Sequence, residues 1–459
     1  MPFASGLSEH PVTAYAAGEV CGQVLERIGT HPDLALVFTT LAHAGALEDI
    51  VAAVREVLHP SVVIGAAAES VVGTGREVET GPGISLWAGR WGPVAPVRVG
   101  GGEPAVASQR PDRGGPPDPT RRPDRPGPPD GPRRPDRPSP PGPPGRPDRP
   151  GPSDSVSPTD SVGPPDSVGP SDPHDLGASG GRTLPDATVA EGVPFAPRAL
   201  LLVADPFSFG ADDLLGAVAR RHPGLPVVGG MASGARGPGG TRLALDGAIH
   251  TSGAVGAFVG PGVDVVAVVS HGCRPIGRPF VVTDGAATIV RELAGRPALV
   301  RLEEMAGSLT PGEVRSVNSG GLHLGRVLDE SKPDFGPGDF RVRPVLGGDR
   351  DTGAIAVDDN VEVGTTVQFH LRDATGAHED LDGMLAREAP EAEAAWLFTC
   401  NGRGRRLFGV PDHDADLLSR RVGPVPTAGF SAAGELGPVA GRNELHSSAA
   451  SLLLLREHR

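Results

Sequence analysis

The stretch 200-LLLVADPFSFGADDLLGAVARRHPGLPVVGGMASG-234 decides how the rest of the chain is read. LLLVAD is a short apolar run of strand type. Asp212 and Asp213 then open an amphipathic segment, and acids in a first helical turn complement the helix dipole. PVVGG is a second strand that stops at glycine, a turn of small residues follows, and 253-GAVGAFVG supplies another strand. The order is strand, loop, amphipathic helix, strand, turn, strand.

The same order recurs on both sides. Upstream run 35-ALVFTT, then 46-ALEDIVAAVREVL with Ile50, Val51, Val54, Val57 and Leu58 at helical spacing, then 62-VVIGAAAESVVGTG and 82-PGISLWAG. Downstream, WLFTC at 396–400 is the strand, HDADLLSRRV the helix, PVPTAG at 424–429 the second strand and SAASLLLL the last. Phe38 to Gly65 spans 27 residues, Val203 to Gly229 spans 26 and Phe398 to Gly429 spans 31. A fourth, degraded copy without its helix is expected in 322–372. Three copies of a β-α-β-β unit imply an α+β or α/β fold with pseudo-symmetric sheets in two domains.

Between the first two copies lies a segment of different character. Of 51 prolines, 25 fall between residues 101 and 190. RPDR recurs at Arg110, Arg122, Arg134 and Arg146, and SV-x-P at Ser155, Ser161 and Ser167. Pro, Asp, Arg, Gly and Ser at this density bury too little apolar surface to offset chain entropy, so 103–190 is expected to be a disordered insertion. The net charge of −14 argues against nucleic acid as a partner. The three cysteines, Cys21, Cys273 and Cys400, form no C-x-x-C pair, which argues against a disulfide framework or structural zinc. No signal peptide and no membrane-spanning run is legible, so a cytoplasmic protein is expected.

Most familiar site motifs are missing. There is no G-x-x-x-x-G-K-[ST], and Gly402, Gly404 and Gly409 do not make G-x-G-x-x-G. His413 among Asp412, Asp414 and Asp416 resembles a metal cluster, but Pro411-Asp412 is better read as a helix start. The string 429-GFSAAG approaches a nucleophile elbow around Ser431 and lacks both the final glycine and the following helix. Cys400 ends a strand beside Asn401 and two arginines that could lower a thiol pKa. No cofactor or metal is expected. Polar residues recur at the turn after each second strand: Glu69, Ser70 and Arg76, then Ser233 and Arg236, then Glu435, Arg442, Asn443 and His446. Set among glycines, they suggest a ligand pocket.

Longer strings carry a resemblance. 63-VIGAAAESVVGTGREVETGPGISL and 253-GAVGAFVGPGVDVVAVVSHGCRPIGRPFVVT resemble the N-terminal domain of the FIST family. 343-RPVLGGDRDTGAIAVDDNVEVGTTVQFHLRDA, 397-LFTCNGRGRRLFGVPDHDAD and 429-GFSAAGELGPVAGRNELH resemble its C-terminal domain. A helix is expected in 1–29, and the resemblance implies an N-like domain over 30–260 interrupted at 103–190 and a C-like domain over 261–459. It implies a non-catalytic intracellular sensory module of bacterial signal transduction, binding a small ligand such as an amino acid or its derivative. No output module is legible, so a separate output protein is expected as partner. Where relatives carry an aromatic-cysteine pair before A-G-E, this chain has Phe430-Ser431-Ala432-Ala433-Gly434-Glu435.

The candidate ligand residues are Asn401, Arg403, Glu435, Arg442 and Asn443. Arginine would pair with a carboxylate or phosphate, Glu435 with an ammonium, and the asparagines with neutral polar groups. An enzyme using Cys400 or Ser431 as nucleophile is the alternative. A protein-interaction scaffold, as in F-box relatives, is a third reading.

Overall fold

A computed structural model describes residues 2–100, 193–336, 338–389 and 391–458. The proline-rich segment assigned to 103–190 lies outside the described residues. The fold is α+β: three six-stranded sheets surround one apolar core, and a fourth, eight-stranded sheet stands beside them.

In each six-stranded sheet the centre is a parallel pair, Leu34–Thr40 with Val62–Ala68, Ala199–Ala204 with Val227–Met231, and Ala394–Cys400 with Thr427–Ala432. Alternation along these strands divides their side chains between two faces. Leu36, Phe38, Leu201, Val203, Trp396 and Phe398 point inward and share one core. Trp87 and Trp396 meet edge to face at 5.4 Å, and Phe38 packs on Phe398 and Phe430 at 6.2 and 5.0 Å. The outward faces are covered by helices. Thr13–Ile28 and Leu47–Leu58 cover the first sheet, Ala211–Arg221 the second, and Ala374–Glu388 with His413–Val422 the third.

The glycine that recurs in each second strand has a steric cause. A Cβ at Gly229 would stand 1.8 Å from the Leu202 carbonyl oxygen, and one at Gly429 would stand 1.7 Å from that of Leu397. At Gly65 the Val37 carbonyl oxygen would be 2.9 Å away. Only glycine admits so close a parallel neighbour.

Each unit also carries a short hairpin, and each hairpin leaves its own sheet. Val71–Gly73 with Arg76–Val78 adds to the third sheet, pairing Val72 with Gly429. Leu243–Leu245 with Ala248–His250 adds to the first, pairing Ala244 with Gly65. Glu435–Val439 with Arg442–His446 adds to the second, pairing Leu436 with Gly229.

Two expectations are corrected. Residues 1–29 hold a strand, Phe3–Ser8, ahead of the helix Thr13–Ile28, and it completes the first sheet beside Ile84–Gly89. The region 322–372 is no degraded fourth copy. Its strands Leu322–Val327, Phe340–Asp349, Ala354–Val357 and Thr366–Arg372 join Phe280–Ala286 and Ile289–Leu293 in an antiparallel ring. Leu322–Val327 pairs with both Phe340–Asp349 and Thr366–Arg372, so the ring closes as a small barrel around Val282, Leu324, Ile355 and Phe369. Closure leaves no free edge, which a short antiparallel meander would otherwise present.

Candidate functional site: a buried arginine and acid cluster at the strand ends

The strand Ala394–Cys400 ends in a tight turn held by backbone bonds. The Cys400 amide donates to Ala449 O at 2.8 Å, Asn401 to Ala432 O at 2.9 Å and Arg403 back to Cys400 O at 2.9 Å. The Gly402 amide donates to Cys400 Sγ at 3.3 Å. This turn drops Arg403 into the interior, where Nε donates to Asp414 Oδ2 at 2.6 Å and Nη2 to Asp414 Oδ1 at 2.9 Å. Burial works to raise the Asp414 pKa, but the Arg403 charge and hydrogen bonds outweigh it and hold that carboxylate well below the usual range.

The acids of HDAD do not cap their own helix. Asp412 sits in the left-handed region without a side-chain cap bond, and the amides of Asp414 and Ala415 donate instead to Glu77 Oε1, at 2.9 and 3.0 Å. Glu77 arrives on the exchanged hairpin from the first unit. Its pKa is pushed up to about 8 by burial and then by neighbouring Asp414. His413 stacks on Phe408 with centroids 3.4 Å apart and bonds Asp414 Oδ1 through Nδ1 at 2.9 Å and His378 through Nε2 at 3.1 Å.

Glu435 begins the third hairpin and is completely buried. Its Oε2 accepts the Ala449 amide at 2.9 Å, while Oε1 has no hydrogen-bond partner. Burial pushes its pKa up to about 8; the Ala449 amide and the charges of Arg372, Arg403 and Arg343 pull the other way. With Oε2 accepting, the proton belongs on Oε1. Two further sets of buried donors share the site without partners among the described residues: Nη1 of Arg403, and Nε with Nη2 of Arg372. A Cβ at Gly402 would stand 3.3 Å from Arg372 Nη1 and 3.6 Å from Cys400 Sγ. One at Gly272 would stand 2.9 Å from Arg403 Nη1. Glycine at these two points leaves the guanidinium faces uncovered.

The turn 401–403 therefore meets Glu435, but the candidates separate from there. Arg442 and Asn443 lie at the other end of the hairpin, about 10–13 Å along it at strand rise. Arg442 is exposed. Asn443 clamps two backbone groups of the second unit, accepting from the Val227 amide at 2.8 Å and donating to Leu225 O at 2.7 Å. Asn401 is half-buried, its Oδ1 3.8 Å from Cys400 Sγ.

Neither candidate nucleophile is activated. Burial and then the Glu435 charge raise the Cys400 thiol pKa, the reverse of the lowering expected from its arginine neighbours. The Ser431 hydroxyl bonds to the hydroxyl of Ser70, not to a base, and Ser233 Oγ donates to Ser431 O.

Arg372 and Glu77 were not among the residues singled out from sequence. Arg372 ends a barrel strand inside what read as a damaged repeat, and Glu77 reaches the site only through the hairpin exchange. Neither carries a local signal. A groove of about 410 Å³ lined by Pro2, Arg27, Ile28, Arg90 and Glu457 lies at the opposite end of the same strands. Its Arg90 is already committed to the carbonyls of Ile28 and Thr30.

Comparison with known proteins finds two family domains in tandem. The FIST N domain matches residues 153–296 and the FIST C domain matches 298–438. The uncharacterized protein Mb0898c of Mycobacterium bovis is 35% identical over 464 residues, covering 99% of this chain and 98% of the relative. The uncharacterized protein Rv0628c of Mycobacterium tuberculosis is also 35% identical over 464 residues, covering 99% of each chain. Among the described residues no helix is long and apolar enough to cross a membrane. The chain belongs to the FIST family, whose tandem N and C domains are sensory domains of signal transduction.

Proposed function

We propose that this protein is a non-catalytic cytoplasmic sensor that binds a small amino-acid-like ligand at the strand-end cluster and signals through a separate output protein. The reading rests on one observation: Arg403 Nη1, the Arg372 fork and Glu435 Oε1 are buried polar atoms of one cluster, none with a partner among the described residues. An orphaned buried donor costs about 1–3 kcal/mol, more when charged, and such groups gather where a ligand supplies the missing partner. A ligand carboxylate would meet the arginines. Its ammonium would meet Glu435, which would give up its proton on binding at neutral pH. Asn401, at the rim, supplies a neutral contact. Arg442 and Asn443, first placed in the same site, belong to the far end of the hairpin. The repeated sheet pattern supports a pseudo-threefold arrangement of the three units, with the N-like domain at 30–260 and the C-like domain at 261–459.

A thermal-shift screen of the full chain against the L-amino acids and small carboxylates tests this. At least one should raise Tm, and calorimetry in two buffers of different ionisation heat should register proton release with ammonium-bearing ligands. A broad panel without any stabiliser would end the reading.

A further inference from the structure

Resting on that reading, the structure assigns the ligand's anchor to a residue outside the strand-end turns. We propose that Arg372, the last residue of the barrel strand Thr366–Arg372, docks the ligand's carboxylate side-on, so that the ligand ties the barrel to the third sheet.

The two arginines of the cluster differ in which edge they leave free. Arg403 spends its Nε and Nη2 edge on Asp414, so only Nη1 remains. Arg372 has the opposite pattern: its free atoms are Nε and Nη2. Those two N–H groups are parallel and lie on one edge of the guanidinium, the geometry that grips a planar carboxylate through two bonds at once. Such a grip needs two acceptor oxygens side by side, which a carboxylate or a phosphate provides and an amide does not.

Among the described residues no carboxylate is bonded to Arg372. Asp373, the next residue, accepts from Gly376 as helix cap and from Arg274 Nε. Asp380 accepts from Ser270 Oγ at 2.7 Å and from the Gly272 amide. Burial pushes the Glu435 pKa up to about 8, so in the empty state at neutral pH its carboxyl brings little negative charge to the cluster. The unpartnered guanidinium atoms, Arg372 Nε and Nη2 with Arg403 Nη1, are all donors, and what completes them is an anion. Gly402 leaves room beside Arg372 that any side chain would fill.

The position of Arg372 gives the contact a consequence. Its strand belongs to the barrel, pairing with Leu322–Val327 and with Cys273–Pro275, whereas Arg403 and Glu435 stand on the three-sheet body. A carboxylate held between Arg372 and Arg403 Nη1 bridges the two.

The test uses the full chain with L-amino acids and their C-terminal amides as probes, beside inorganic phosphate. Binding is read by calorimetry and thermal shift, and folding of each variant by circular dichroism. At least one amino acid should bind while its amide does not. Arg372→Met should weaken that binding at least roughly tenfold, and Arg372→Lys, which keeps the charge and loses the fork, should weaken it by a similar order. The ligand-free Tm of Arg372→Met should equal or exceed that of the wild type, because the lost group had no partner; a purely structural arginine would lower it. If a probe binds wild type and Arg372→Met within about twofold, or the amide binds as well as the acid, or phosphate binds more tightly than any carboxylate, the anchor assignment is overturned while the sensor reading stands. If no probe binds the wild type, both fall.

Discussion

The Arg403 guanidinium and the Asp414 carboxylate face each other edge to edge, Nε to Oδ2 at 2.6 Å and Nη2 to Oδ1 at 2.9 Å, with both side chains withdrawn from water. Breaking such a buried pair from one side leaves a charge without compensation. Arg403→Met should therefore cost about 3–5 kcal/mol of stability, with Asp414 stranded beside Glu77. Converting both partners, as in Arg403→Met with Asp414→Leu, should recover most of the loss. Urea unfolding of the two variants checks this, and a loss below about 1 kcal/mol in the single variant would deny the pair a structural role.

Asn443 and Glu435 sit on one hairpin with opposite expected phenotypes. Asn443→Ala removes two hydrogen bonds that fasten the hairpin to the second unit, at about 1–3 kcal/mol, and should leave amino-acid binding intact. Glu435→Gln keeps the shape and removes the titrating proton. It should match the wild type in stability near pH 4.5 and exceed it at neutral pH, where the wild type must hold a proton that Gln does not need, while abolishing proton release on binding. Calorimetry and denaturation on both variants separate the roles.

Stability should peak near pH 6.5. His271, His323 and His370 have pKa values lowered by burial to about 4, and that of His446 is lowered well below 6.5, so all four favour the folded state only while neutral. Their contribution is complete above 6.5 and is lost as pH falls toward 4. Glu77 and Glu435, raised to about 8, act with the opposite sign: their contribution is complete below about 4.5 and is lost as pH rises toward 8. Four groups outweigh two below 6.5, and above it only the acids remain. The decline from 6.5 to 8 should run at about 1–3 kcal/mol per pH unit and flatten in Glu77→Gln with Glu435→Gln. A stability that keeps rising to pH 8 would contradict the assignment.

The thiols should be inert at neutral pH. Burial lifts Cys21 to about 11 and Cys273 to about 12, and raises Cys400 as well. Iodoacetamide at pH 7.5 should label none in the native protein and all three in urea. Cys400→Ser should retain ligand binding; rapid native labelling of Cys400 would revive the nucleophile reading.

Glycines divide sharply by position. Gly429→Ala should prevent folding, since its Cβ would collide with the Leu397 backbone. Gly18 and Gly22 lie within the helix Thr13–Ile28 with nothing within 4 Å of an added Cβ. Alanine at either should stabilise by about 0.5–1 kcal/mol, as thermal melts would register.

Repetition made the three central units legible, because a parallel strand pair with its crossover helix is written in local apolar spacing. The partners of the hairpins were not. Val72 and Gly429 are neighbours in a sheet, and nothing in the string 71-VVGTGREV names a strand more than three hundred residues away. The barrel was misread for a related reason: its strands share the alternation of the repeats, and only pairing order separates a closed antiparallel ring from a decayed copy. In the site, Asn401, Arg403 and Glu435 came from the turns where the units end. Arg372 escaped because an arginine closing a strand is ordinarily solvated, and its unmatched fork becomes visible only after folding.

The exchanged hairpins also set a schedule for synthesis. The first unit waits for Leu243–Leu245 to complete its sheet, and the second waits for Glu435–Val439. The hairpin of the first waits for Thr427–Ala432. During translation the first and second sheets cannot be finished until the hairpins borrowed from later in the chain have left the ribosome, while the third, whose borrowed hairpin is made first, waits only for its own strands. The nascent chain must therefore keep the second sheet's edge and the first unit's hairpin unpaired until residues 427–439 emerge, which makes that stretch the moment of commitment for the three-sheet body.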